Sequence, residues 1–109
     1  MIDTEHAEDL FDDVTDWFAR EIAAARGDSA REAAVCRTAV ERYAEAKRLV
    51  DPEGAFENVT HFFGADGIGF ERARTPALRK VGGLSADEGA RICQILGDIA
   101  MELETASLA

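Results

Sequence analysis

Apolar residues return at steps of three and four through the first quarter of the chain, and that period decides what the segment can form. Leu10, Phe11, Val14, Trp17, Phe18, Ile22 and Ala25 fall on one side of an α-helix; on a strand they would scatter over both faces. Asp3 or Thr4 can cap the start, and Gly27 lies where such a helix stops, which places it at about 4–26. Ser29 followed three residues later by Glu32 has the spacing of a reciprocal capping box. It opens a second helix at about 30–50, with Cys36, Ala39, Val40, Tyr43 and Val50 on the inner stripe and small Ala46 beside them. On the outer face Arg37 and Glu41, Arg42 and Glu45, and Glu45 and Arg48 stand three or four apart, the spacing of solvated ion pairs.

Asp51-Pro52-Glu53 combines a cap residue, a first-turn proline and a first-turn acid. Ala55, Phe56, Val59, Phe62 and Phe63 follow at helical spacing, so a third, shorter helix is expected, ending at Gly64. The competing arrangement is α+β, with a β-hairpin at about 56–74 turning through Gly64–Gly67. Adjacent Phe62 and Phe63 break strand alternation, which favours the helix. Thr75-Pro76 predicts a single helical turn before Gly82-Gly83, and Ser85 with Glu88 forms another capping box.

The last helix, at about 86–106, carries Ile92, Cys93, Ile95, Leu96, Ile99, Ala100 and Leu103. One neighbour cannot cover so wide an arc, so the helix is either central or shared with a second copy. A homodimer through Ile92, Leu96, Ile99 and Leu103 is the alternative that this raises. The fold expected is an all-α compact bundle of three longer helices plus one or two short ones, a single helical domain over residues 1–109. The chain length leaves room for one core.

Hydrophobic residues at 47% and charged residues at 31% are globular proportions. No apolar run approaches the roughly 18 residues of a membrane helix. The N-terminus opens with acid where a secretory signal carries positive charge. A cytoplasmic location is expected. Cys36 and Cys93 are too few and too far apart for a disulfide framework and read as buried free thiols.

The net charge of −10 excludes direct nucleic-acid binding and an anionic membrane surface as expectations, since both need a basic face. Residues 1–28 alone net −7. Glu5, Glu8, Asp9, Asp12, Asp13 and Asp16 share one face of the first helix. Four like-charge pairs stand at four-residue spacing there, each unfavourable by a few tenths of a kcal/mol. A solvated acidic face, or an acid-rich proteome, would account for this charge. So would a docking strip for a basic protein partner, because spaced carboxylates on a rod imitate a nucleic-acid backbone. Small acidic inhibitors of nucleases, repressors and RNA-guided complexes act in that way. A cation site is a third reading, though a catalytic one would draw its carboxylates from facing helices.

No phosphate-binding glycine loop, paired-cysteine metal motif or serine elbow is present in the sequence, and no cofactor or metal is expected. His61 is the one candidate for proton or phosphoryl chemistry, with Glu57 one turn before it and Asp66 and Phe70 in the glycine-rich stretch after. Over about ten residues this region resembles helical histidine phosphotransfer domains, which carry an exposed helix histidine followed by glycine. The resemblance implies phosphate acceptance at His61. The family has lysine and glycine three and four positions after its histidine, where this chain has Gly64 and Ala65. Arg72, Arg74, Arg79 and Lys80 form a basic patch that could neutralise the first helix or meet an anion. The leading expectation is a binding module, an inhibitor or regulator rather than an enzyme.

Overall fold

The computed structural model describes residues 4–63 and 85–108, apart from the side chains of residues 4, 5, 7, 8, 60, 61, 86 and 108. It contains helices α1 (Thr4–Ala25), α2 (Ser29–Arg48), α3 (Val59–Phe63) and α4 (Ala86–Leu108). Among the described residues the fold is an all-α bundle of three long helices and a short one, with no strand. The hairpin alternative is not supported. Its first arm is a series of turns followed by α3, and its second arm, at 68–74, lies outside the described residues.

Gly27 ends the first helix with φ of +88°, the left-handed conformation that costs a side-chain-bearing residue about 1–2 kcal/mol. The cap of α2 is Asp28, one residue earlier than the sequence spacing suggests: its carboxylate accepts from the Arg31 N–H at 3.1 Å. Glu32 does not reach back to complete a capping box. Its carboxylate is drawn inward to Arg91 of α4, as described below. Ser85 does cap α4, accepting from the Glu88 N–H at 3.1 Å.

The third helix is shorter than its apolar spacing implied. Asp51 caps a turn by accepting from Gly54 N–H, and Glu57 N–H then donates to the Gly54 carbonyl at 3.0 Å. These are three-residue turns, tighter than an α-helix. Gly54 weakens helix propagation, and Asn58 adopts φ of +63°, which asparagine tolerates better than most residues. Only from Asn58 does the α-helical ladder start, with Phe62 N–H donating to its carbonyl at 2.8 Å. The single turn expected near 76–81 lies outside the described residues.

A three-residue link joins α1 to α2, which makes them antiparallel neighbours. Arg42 of α2 lies 4.2 Å from the centre of the Trp17 ring, while Leu49 stands with Leu10 at the far end. Helix α4 runs in the same direction as α2. Its start meets Arg26 through Glu88 at 3.2 Å, its next turn meets Glu32, and Glu102 further along meets Arg37 at 2.9 Å. The central helix is thus α2, packed between α1 and α4. Its buried residues include Cys36, Ala39, Ala44 and Ala46, and side chains this small let helices approach closely on two sides.

One hydrophobic cluster joins all four helices, from Val14, Phe18 and Ile22 through Val40 and Tyr43 to Val59, Phe63, Ile92 and Leu96. Phe18, Ile22, Phe63, Ile92 and Leu96 are wholly buried, each burial favourable by about 1.5–3 kcal/mol. The rings of Phe11, Tyr43, Phe62 and Phe63 stack at centroid separations of 4.5–5.6 Å, and this explains the adjacent phenylalanines of α3. The Tyr43 hydroxyl donates to the Glu57 carbonyl at 3.2 Å, and Lys47 Nζ donates to the same oxygen at 3.1 Å, tying the turns before α3 onto α2. Val50, placed on the inner stripe by sequence, lies beyond the end of α2 and is 36% exposed.

Candidate functional site

The acidic strip stands on α1. Glu5 and Glu8 lie on its first turns, and Asp9, Asp12, Asp13 and Asp16 are all exposed. Among the described residues, the cross-element ion pairs take their acids from α2 and α4: Arg26 with Glu88, Arg37 with Glu102, and Arg91 with Glu32. None of these cations turns to Asp9, Asp12 or Asp13. The helix-surface pairs expected on α2 give way to longer reaches, since Arg37 crosses to α4, Arg42 lies on Trp17, and Arg48 lies 5.4 Å from the centre of the Phe56 ring. A flat aromatic face attracts a guanidinium and shields it from competing water.

Beside the strip runs a groove of about 300 Å³ between α1 and α2, lined by Leu10, Asp13, Val14, Arg42, Glu45, Ala46 and Leu49. The sequence stripe put Leu10 in the core, yet the side chain is 37% exposed, and Leu49 is 42% exposed. The reason is the small partner: Ala46 on α2 leaves the space that a larger residue would have filled. Among the strip acids whose side chains are described, Asp13 alone lines this groove.

Sequence reasoning missed the buried pair of α2 and α4. The Glu32 side chain is only 2% exposed and binds Arg91 in bidentate fashion, both N–H to O distances being 3.1 Å. The signal was present, because Glu32 precedes Cys36 by four residues and so continues the stripe Cys36, Ala39, Tyr43 backwards. Cys36 is fully buried, and burial first, then the Glu32 carboxylate, pushes its thiol up to about 12 from an ordinary 9.0. Such a thiol stays protonated and is a poor nucleophile.

Of the residues expected around His61, only Glu57 has its side chain among those described. His61 belongs to α3, Glu57 is an exposed turn residue whose carbonyl holds Tyr43 and Lys47, and Asp66 and Phe70 lie outside the described residues. Arg72, Arg74, Arg79 and Lys80 also lie outside them. Among the described residues no group of three or more His, Cys, Asp or Glu is placed to hold a metal ion. No described helix is long and apolar enough to cross a membrane.

The wide apolar arc of α4 is largely taken up within the protomer. Ile92, Leu96 and Ile99 are buried against the other helices and Leu103 is partly buried, leaving Met101 as the most exposed large apolar side chain among the described residues of the helix, at 69%. A contact between copies through α4 would use Met101 and Leu103 in place of the buried Ile92, Leu96 and Ile99.

Fold and surface together define an all-α bundle with an acid-faced first helix and an apolar groove at its edge. No family model, curated protein or solved structure matches the chain.

Proposed function

We propose that this protein is a small cytoplasmic binding module, an inhibitor or regulator, that presents the carboxylates of α1 to a basic protein surface. The observation that carries this reading is the placement of its arginines. Among the described arginines, three neutralise acids of α2 and α4 and two lie on aromatic rings, while the side chains of Asp9, Asp12 and Asp13 are exposed to solvent. Like charges one turn apart on a helix repel by a few tenths of a kcal/mol per pair, a cost that a basic partner would reverse on docking. Carboxylates spaced along a rod match the cationic surfaces that proteins build for nucleic-acid backbones, so a nucleic-acid-handling protein is the best-fitting partner class.

The test is a pull-down with tagged protein from host lysate, washed at low and then at moderate salt, beside a variant carrying Asp9→Lys, Asp12→Lys, Asp13→Lys and Asp16→Lys. Basic proteins should be captured by the native chain, leave as screening rises, and be absent from the variant, whose circular dichroism should remain helical. Equal capture by native chain and variant at low salt would rule out the acidic face as the binding surface.

A further inference from the structure

The large apolar side chains left exposed among the described residues are not scattered. Leu10, Leu49 and Val50 gather at one end of the α1–α2 pair, and only Met101 lies elsewhere. Leu10 and Leu49 line the groove, with Val14 buried and Ala46 small beneath them. Among the described residues the rim carries the carboxylates of Asp13 from α1 and Glu45 from α2, and one cation, Arg42, whose guanidinium already lies on the Trp17 ring. Asp9 and Asp16 continue the negative charge from Asp13 at four- and three-residue steps along α1.

We infer that this groove is the docking slot for a basic amphipathic helix of a partner protein. The inference rests on the proposed acidic docking function and specifies what the partner inserts. Two antiparallel helices leave a furrow that follows their axes, and a third helix can lay a ridge of side chains into it. Apolar residues one turn apart on the partner would meet Leu10 and Leu49. Flanking lysines or arginines would reach Asp13 and Glu45. The net negative rim selects a basic helix and rejects an acidic one, and the apolar floor adds a contact that salt does not screen.

The probe is a dye-labelled model peptide of leucine, lysine and alanine patterned as an amphipathic helix, followed by fluorescence anisotropy. Its controls replace lysine by glutamate or leucine by serine. The native chain should bind the parent peptide and neither control. Leu10→Ser, Leu49→Ser and Asp13→Lys should each weaken binding about tenfold. Asp12→Lys lies about 100° round α1 from Asp13, away from the groove, and should weaken it about threefold or less, an effect that vanishes as salt rises. Amide shifts on the unaltered chain should centre on Leu10, Val14, Ala46 and Leu49, which keeps the test open should a serine variant unfold.

Tight binding of the leucine-to-serine peptide, with both serine variants unaffected, would overturn the groove while leaving the acidic strip standing. Equal binding of the glutamate peptide would overturn the required basic partner and count against the strip as well. Shifts at the groove amides that track protein concentration without peptide would assign it to a second copy and overturn the inference.

Discussion

Replacing Arg91 by alanine should weaken this fold more than its exposed position suggests. The Arg91 side chain is 47% exposed, but the carboxylate that it holds, on Glu32, is 2% exposed and receives two N–H donors at 3.1 Å. Removing one partner of a fully buried ion pair costs about 3–5 kcal/mol, because a charge is left uncompensated. Here the departing guanidinium opens a path for water, so the expected loss falls to about 2–3 kcal/mol. An unfolding entropy of about 2.1 cal/mol/K per residue gives roughly 4 °C per kcal/mol for a chain of this length, hence a melting temperature lower by about 8–13 °C. Replacing both residues by leucine removes the buried charge with its partner and should return stability to within about 1 kcal/mol of the native chain. Urea unfolding followed by circular dichroism, with the slope unchanged between variants, measures each value. A cost below about 0.5 kcal/mol for Arg91→Ala would refute the reasoning. So would a double-leucine variant no more stable than the single one, since both outcomes mean that Glu32 is satisfied without its partner.

Two further expectations concern the core. Phe18→Ala empties a fully buried site whose ring centroid lies 5.1 Å from that of Phe63, and should cost about 3–5 kcal/mol in the same urea assay. The Cys36 thiol, raised from 9.0 to about 12, keeps its proton in the native state while the unfolded chain gives it up above pH 9. Fewer protons on the unfolded state mean that stability falls as pH rises through this window, by up to about 1.4 kcal/mol per unit. Tyr43, also raised by burial, then by Asp51 and Glu57, adds a loss of the same sign. Cys36→Ala should flatten the thiol's share of that decline, and iodoacetamide near neutral pH should label Cys36 only after denaturant is added.

Periodicity alone reaches the helices α1, α2 and α4, because apolar spacing and cap residues act within a few turns of chain and need no partner to be recognised. The acid strip is legible for the same reason: charge and helical phase are both local properties. Legibility stops where a residue has two competing local roles. Glu32 fits a capping box and also continues the buried stripe of α2, and only the presence of Arg91 on α4 decides for burial. Gly54 and Asn58 were readable as breaks within the third helix, yet the apolar spacing of Phe56, Val59 and Phe63 pointed to one continuous element. Turn hydrogen bonds and a left-handed Asn58 resolve it into turns followed by α3.

The helix pattern could say which residues prefer to be covered but not what covers them. Leu10 shares the period of Val14 and Phe18, but it faces Ala46, too small to cover it, and remains at the surface. Ile92, Leu96 and Ile99, wide enough in arc to suggest a second copy, are buried instead by helices of the same chain. The order of hydrophobic and charged residues thus determined helix type, phase and the acidic face. Which leucines close the core, which arginines find an acid and where a groove opens depended on side-chain volumes facing one another across helices distant in sequence, a quantity that exists only once the chain is packed.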